Sequence, residues 1–280
     1  METLIQQIIN GLVLGSMYAL VALGYSMVYG IINLINFAHG EILMVGAMVS
    51  WTLVTLLADS GIPGWMLMLI GLAAAVVVCA MLNYAVEKIA YRPLRNAPRL
   101  APLITAMGMS LLLPTTPFDL GGPVITVTQC LILGLTVCIL AALMYLVNFT
   151  KLGRAMRATA ENPRVAGLMG VKPDFIISTT FVIGAALAAV AGLMWAANYG
   201  TVQHTMGFMP GLKAFTAAVL GGIGSLPGAV LGGLLIGLIE TFWSAYFSVQ
   251  YKDVAAFSIL ILTLIFLPTG LLGRQEVEKV

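Results

Sequence analysis

The sequence predicts an all-α polytopic membrane protein, and three observations lead to that prediction. Hydrophobic residues make up 60% of the 280 residues and charged residues only 9%, whereas soluble domains carry about 25% charged residues. The mean hydropathy is +1.03. Charge-free runs long enough for a membrane helix of about 20 residues recur along the chain. We therefore expect about eight transmembrane helices, with short broken or re-entrant segments and two weakly similar halves.

The charge-free runs place the helices in order, and they accommodate seven to nine passes. The first begins at the N-terminus, which lacks the basic region and the small-residue cleavage site of a signal peptide, so we interpret it as a retained helix. Two of the predicted segments, 101–113 and 211–222, are short for a full pass. The predicted segments are 4–29, 41–58, 64–86, 101–113, 125–149, 175–199, 211–222, 228–248 and 254–270.

Basic residues set the expected orientation. Eleven of the thirteen Lys and Arg residues fall in the segments 87–100 and 150–174 and in the C-terminal tail. Lys and Arg are enriched in cytoplasmic loops, so these three segments are expected on one side of the membrane. The number of predicted passes between them is consistent with that arrangement. The N-terminus is then expected outside and the C-terminus inside.

Two glycine-containing segments interrupt the apolar runs, 33–41 (NLINFAHGE) and 221–228 (GGIGSLPG). Non-helical backbone at membrane depth is tolerated where protein buries it or where it lines a cavity. Such breaks in corresponding positions of two halves indicate a substrate path, although glycine-rich helices can also resemble one another by chance. The candidate residues, together with an isolated carboxylate at 240, are Asn33, Asn36, His39, Gly40, Glu41, Gly221, Gly222, Gly224, Pro227 and Glu240.

Glycines spaced four residues apart allow two helix backbones to approach closely. Three such pairs occur: Gly11 with Gly15, Gly228 with Gly232, and Gly233 with Gly237. The pairs are equally compatible with packing inside this chain and with a subunit interface.

Catalytic chemistry finds no support in the sequence. His39 and Glu41 are two residues apart, so on a helix they face away from each other and do not share a metal. The sequence contains no HExxH, GxSxG or GxxxxGK[ST] motif. The three cysteines lie in apolar runs without metal-ligand spacing and are interpreted as packed thiols. We expect no enzyme activity, no metal site and no cofactor bound by this chain.

The segment 150–174 is predicted to be a cytoplasmic loop with a short surface helix. Asn162-Pro163 is typical of a helix start, and Gly170 fits a helix end. Between them Val165, Leu168 and Met169 recur at helical spacing and form an apolar ridge. The ridge is interpreted as a docking element. The alternative is a solvated helix that lies on anionic lipid headgroups.

Several stretches resemble the permeases of ATP-binding-cassette (ABC) importers for branched-chain amino acids. They include GLVLGSMYALVALGYSMVYGIINLINFAHGEILMVGA, AYRPLRNAPRLAPLITAMGMS, LGRAMRATAENP, KAFTAAVLGGIGSLPGAVLGGLLIGLIE and LPTGLLGRQEVEKV. The combination of INFAHGE with AAVLGGIGSLPGA is highly specific. The resemblance implies that residues 1–280 form a single permease domain in the bacterial inner membrane. The main alternative is a stand-alone secondary carrier or channel for small solutes.

The resemblance also implies partners and a coupling role for the loop. The expected partners are a second homologous permease, two cytoplasmic ATPases that bind ATP and Mg²⁺, a periplasmic amino-acid-binding protein and the lipid bilayer, with no nucleic acid. The substrates are expected to be leucine, isoleucine and valine. The implied coupling residues are Arg154, Glu161, Asn162, Pro163, Arg164, Val165, Ala166, Leu168, Met169 and Gly170. Arg164 stands where the general ABC coupling signature has Glu, and the chain is shorter than expected between GMSLLLP and TTPFDLGG.

Within NFAHGE, the resemblance suggests a break in the first half of the permease. We expect Gly40 to let the backbone bend, and the side chains of Asn36 and His39 to satisfy the freed backbone groups. Glu41 is expected at the start of the next helix, near the positive end of its dipole. A purely structural bend and a direct substrate contact are equally compatible with these residues.

Overall fold

The computed structural model describes residues 2–91, 127–203 and 205–273, and all regular secondary structure within them is helical. Seven helices in these ranges are long and apolar enough to cross a membrane, and an eighth, shorter helix is also apolar. The all-α polytopic prediction is therefore confirmed, although a count of eight full passes is not. The predicted pass 101–113, the shortened loop 114–124, most of the first basic cluster and the basic tail lie outside the described residues.

The helices begin and end close to the predicted boundaries. They are α1 (Glu2–Ile32), α2 (His39–Leu56), α3 (Gly64–Val86), α4 (Val127–Phe149), α5 (Lys151–Glu161), α6 (Pro163–Leu168), α7 (Pro173–Tyr199), α8 (Phe208–Gly221), α9 (Leu226–Tyr246) and α10 (Lys252–Phe266). Short 3₁₀ turns at Ala58–Ser60 and Val249–Tyr251 precede α3 and α10, and a π-helical turn at Glu87–Tyr91 follows α3.

Helix α1 is the centre of the bundle. It is the most buried of the candidate spans, and it contacts α4, α7, α8 and α9. Met17, Leu20 and Leu23 on α1 are completely enclosed by these neighbours. In contrast, α3, α4 and α10 have mostly exposed apolar surfaces, as expected for helices that face lipid or another subunit.

Glycines bring α1 and α9 into backbone contact. A Cβ atom added to Gly15 would lie 2.7 Å from Leu234 Cα, and one added to Gly233 would lie 2.5 Å from Ala19 Cα. Gly11 and Gly237 face the same interface. The pair Gly11 and Gly15 therefore packs against the pair Gly233 and Gly237 inside this chain. For these two pairs, packing within the chain replaces the alternative of a subunit interface.

The third glycine pair joins α9 to α8. A Cβ atom on Gly232 would lie 2.9 Å from the Ala217 carbonyl carbon, and one on Gly228 would lie 2.9 Å from the Gly221 carbonyl carbon. Both faces of α9 are thus shaped by small residues, with α1 on one side and α8 on the other. This arrangement holds the segment between α8 and α9, which lies in the predicted break 221–228, against the end of α1. There Gly30 approaches Gly224.

We expect Gly237→Ala to destabilise the protein strongly, because its Cβ would lie 2.6 Å from the Gly11 carbonyl oxygen and would also collide with the Gly15 backbone. Overpacking of this kind costs about 1–3 kcal/mol. Gly134→Ala is the matched control, since Gly134 is an exposed helical glycine with open space around its Cβ position. Thermal unfolding in detergent should show a lower midpoint for Gly237→Ala only. Equal midpoints for the two variants would contradict the role assigned to the α1–α9 contact.

Candidate coupling surface and transmembrane path

The short helix predicted in the basic loop is present as α6. The Asn162 side-chain oxygen accepts hydrogen bonds from the backbone N–H groups of Arg164, at 3.0 Å, and Val165, at 3.1 Å. Pro163 occupies the first helical turn, where its missing N–H costs nothing. The helix ends before Gly170, whose φ of 87° requires a residue without a Cβ. The local start and stop signals therefore define α6 as predicted.

The apolar ridge of α6 is exposed. Leu168 is 84% exposed and Met169 is 81% exposed, and Val165 is also exposed. Ala166 points the other way and is buried, while its carbonyl accepts a hydrogen bond from Val171 N at 3.0 Å. The described part of this chain therefore leaves the ridge uncovered. The predicted coupling residues outside the ridge, Arg154, Glu161, Asn162, Pro163, Arg164 and Gly170, are exposed as well.

The amphipathic helix α5 ties this surface to the bundle. The Thr150 hydroxyl accepts a hydrogen bond from Gly153 N at 3.1 Å and caps the helix. The Arg157 guanidinium donates to the backbone carbonyls of Val147 and Asn148 at the end of α4. Because α5 also contacts α1 and α7, it links α6 to the central helices of the bundle.

The first predicted break lies between α1 and α2. Asn33 has a φ of 51°, a left-handed conformation that is uncommon for residues other than glycine. The chain then turns back so that α2 begins at His39 inside the bundle. A Cβ on Gly24 of α1 would collide with the His39 ring, and one on Gly184 of α7 would lie 3.5 Å from His39 Cε1. Helix α2 therefore starts beside the interior of α1 and α7, not at their ends.

His39 serves as a packing residue in this structure. Its ring is completely buried, and its centroid lies 5.0 Å from that of Tyr25 in an edge-to-face arrangement. Neither ring nitrogen has a hydrogen-bond partner among the described residues, and the Val21 carbonyl faces the ring without hydrogen-bond geometry. Among the described residues, no hydrogen bond joins the His39 side chain to the backbone of the break, and the Val21 carbonyl beside it belongs to the middle of α1.

Gly40 has a different role from the one predicted. It lies within the first turn of α2 and does not have a positive φ, so the backbone does not bend there. Glycine is required because a Cβ at this position would lie 2.6 Å from the Gly207 carbonyl oxygen and 2.8 Å from Gly211 Cα. The start of α2 thus packs directly against the start of α8. Glu41 lies in the first turn of α2, as predicted.

Asn36 links three elements near this break. Its side-chain amide donates to Asn83 Oδ1 on α3 at 3.3 Å, and the Asn83 amide donates to the Phe181 carbonyl on α7 at 2.6 Å. The Asn36 carbonyl accepts from His39 N at 3.0 Å. Asn36 therefore braces the turn through a buried polar chain, in which its side chain bonds the Asn83 side chain.

The second break, between α8 and α9, is also present. Gly222 and Gly224 have φ values of 103° and 88°, and Pro227 lies in the first turn of α9. The backbone N–H groups of Leu271 and Leu272 donate to the carbonyls of Leu220 and Gly221, each at 2.9 Å. The chain after α10 thus provides hydrogen-bond donors for the carbonyls at the end of α8. A break in a helix at membrane depth requires such partners for its backbone groups.

Glu240 belongs to a buried charge cluster that the sequence only partly indicated. Lys213 Nζ donates to Glu240 Oε1 at 2.7 Å, and the Tyr18 hydroxyl donates to Glu240 Oε2 at 2.8 Å. Lys252 Nζ lies 3.3 Å from Glu240 Oε1, and Lys213 Nζ lies 2.6 Å from Asp253 Oδ1. In the sequence Glu240 stood out as an isolated charge, but its pairing with Tyr18, Lys213 and Lys252 depends on how α1, α8 and α10 pack.

Removing one partner of the Lys213–Glu240 pair should be strongly destabilising, since both side chains are about 95% buried. We expect Lys213→Met to cost about 3 kcal/mol, at the low end for breaking a buried pair, because Lys252 Nζ remains 3.3 Å from the Glu240 carboxylate. Adding Glu240→Gln should recover a large part of that loss. Lys252→Met, at a position that is 39% exposed, should change stability little. Thermal unfolding in detergent tests this order, and a Lys213→Met variant as stable as the Lys213→Met/Glu240→Gln double variant would contradict it.

Comparisons with known proteins agree with this architecture. The family described as the permease component of branched-chain amino acid transport systems matches residues 7–267. The high-affinity branched-chain amino acid permease protein BraD of Pseudomonas aeruginosa is 47% identical, with 99% of this chain and 98% of BraD covered. LivH of Escherichia coli K12 is 46% identical, with 99% and 97% covered. A probable LivH of Methanocaldococcus jannaschii is 27% identical, with 94% and 91% covered.

The alignments to BraD and to the E. coli LivH extend over 300 positions, 20 more than the 280 residues of this chain. Both relatives therefore contain residues that have no counterpart in this chain. BraD and the E. coli LivH are 47% and 46% identical to this chain over 99% of its length, and the family match covers residues 7–267. This chain belongs to the family of permease components of branched-chain amino acid transport systems.

Proposed function

We propose that this chain is one membrane-spanning subunit of an ABC importer that carries leucine, isoleucine and valine across the bacterial inner membrane. The single observation that supports this most directly is the exposed apolar ridge of α6, held on a loop that carries five basic residues. An apolar ridge outside the membrane spans calls for a partner that covers it. Family membership makes an ATPase subunit the natural partner.

The energy source is proposed to be external to this chain. Two cytoplasmic ATPases would bind ATP and Mg²⁺ and hydrolyse the nucleotide, while this chain would bind no cofactor of its own. A second homologous permease would complete the path, and a periplasmic amino-acid-binding protein would deliver the substrate. The broken segments at 33–38 and 222–225 would line or brace that path.

The proposed orientation places α6 and the C-terminus in the cytoplasm and the N-terminus in the periplasm. The basic residues of the α5–α6 loop support the cytoplasmic side. Two sets of contacts support only the relative placement of the N-terminal end and the chain after α10 on opposite faces. Val28 near the end of α1 packs with Ile177 and Phe181 near the start of α7, so the N-terminal end of α1 lies away from α6. Leu271 and Leu272 pair with the end of α8, beside the Gly30–Gly224 approach, on the side of α1 that faces α6.

Leu168→Asp combined with Met169→Asp should abolish docking of the ATPases while leaving the permease folded and inserted. Burial of each side chain is worth roughly 1.5–3 kcal/mol, and about 1.4 kcal/mol corresponds to a tenfold change in affinity. The loss of both should therefore weaken association by at least tenfold, even after the cost of ordering the interface. Co-purification of the ATPases and ATP hydrolysis stimulated by loaded binding protein are the measurements.

Lys151→Asp is the matched control. It changes the net charge by the same two units and lies on the same loop, at the exposed start of α5, away from the ridge. It should retain the ATPases. If the double variant hydrolyses ATP at the native rate in response to binding protein, α6 is not the coupling element. Failure of the wild-type chain to retain any ATPase would instead indicate a stand-alone carrier.

A further inference from the structure

A cavity of about 420 Å³ lies where α1, α7, α8, α9 and α10 converge, at the end of α7 farthest from α6. Four charged side chains line it, Lys213, Glu240, Lys252 and Asp253. A second cavity of about 250 Å³ is also lined by Glu240 and Lys252, so the two cavities adjoin the same charged side chains. Nothing in the proposed coupling mechanism accounts for this space.

The four charges form an inner and an outer pair with different roles. Lys213 and Glu240 are buried and hydrogen-bonded to each other, and the Tyr18 hydroxyl occupies the second Glu240 oxygen. This inner pair is already satisfied and holds α1, α8 and α9 together. It has little capacity left for a ligand.

The outer pair, Lys252 and Asp253, has capacity left. Their side chains are 39% and 36% exposed, respectively. Lys252 Nζ lies 3.3 Å from Glu240 Oε1, an ion-pair distance, but it makes no hydrogen bond to a described residue. Asp253 Oδ1 is buried and ion-paired with Lys213 Nζ at 2.6 Å, so only the exposed remainder of the Asp253 side chain is accessible from the cavity. Lys252 and Asp253 are consecutive residues, and both line the cavity.

The remaining wall of the cavity is suited to an aliphatic group. Met206, Met209 and Trp195 contribute apolar surface, and methionine adapts its shape to different branched chains. A small ligand with one positive end, one negative end and an aliphatic branch would match the outer charges and the methionine surface of the lining.

We propose that this cavity is a subsite for the zwitterionic backbone of an amino acid. The ligand carboxylate would pair with Lys252, its ammonium group with Asp253, and its side chain would rest on Met206 and Met209. The identification of the ligand as an amino acid rests on the proposed function. The headgroup of a zwitterionic lipid shares the same charges, and the experiment separates these two sources.

The test measures occupancy of the cavity directly. Thr205, an exposed residue that lines the cavity, is changed to Cys in a background that lacks Cys79, Cys130 and Cys138. Maleimide labelling is then followed on the purified, detergent-solubilised permease complex. Free leucine should slow the labelling of T205C in a concentration-dependent manner. It should not slow the labelling of S60C, a control cysteine at an exposed turn away from the cavity.

Analogues and variants identify the groups responsible. Isoamylamine, 4-methylpentanoate and glycerophosphoethanolamine should protect T205C at least tenfold less well than leucine, because each lacks one of the three matching features. Asp253→Asn and Lys252→Gln should each raise the protecting leucine concentration about tenfold, as expected for loss of a charge-assisted hydrogen bond, whereas Lys252→Arg should retain protection.

Several results would overturn the subsite. They are the absence of leucine protection, equal protection by leucine and its singly charged analogues, or better protection by glycerophosphoethanolamine than by leucine. The measurement needs neither ATP nor binding protein. A permease that retains its ATPases but shows no leucine protection would therefore leave the proposed function intact and reject only the subsite.

Discussion

The backbone contact between α1 and α9 is the constraint on which the rest of the bundle depends. Gly11, Gly15, Gly233 and Gly237 remove the side chains that would otherwise hold the two helices apart. In a bilayer, where lipid is as apolar as leucine, such close packing is a principal source of helix association. The contact fixes α1 at the centre, and α7, α8 and α2 then pack around it.

The two breaks and the buried charges follow from that arrangement. Helix α2 can begin inside the bundle because Gly24 and Gly184 make room for the His39 ring, and because Gly40 packs against Gly207. Glu240 lies in the C-terminal half of α9, where Lys213 of α8 and Tyr18 of α1 meet it. The interior therefore contains two buried polar groups, the charges around Glu240 and the Asn36–Asn83 chain near the first break. Helices α5 and α6 present an exposed surface linked to the same central helices.

Features with local causes were predictable from the sequence. The membrane spans follow from the lengths of the apolar runs, and α6 follows from Asn162, Pro163 and Gly170, which act on their immediate neighbours. The role of Gly40 was not predictable, because it depends on Gly207, which is distant in the sequence. The same is true of Lys252 and Asp253, whose partners are brought to them only by the packing of α10 against α8 and α9.

The most direct test of the account is leucine uptake into proteoliposomes that contain this permease with its companion permease and ATPases. The account predicts uptake only when ATP is supplied on the side of α6 and loaded binding protein on the opposite side. Omission of either should reduce uptake to the leak of empty vesicles. Leucine uptake by this chain without ATPases, driven by a proton or sodium gradient, would contradict the account and identify a stand-alone carrier.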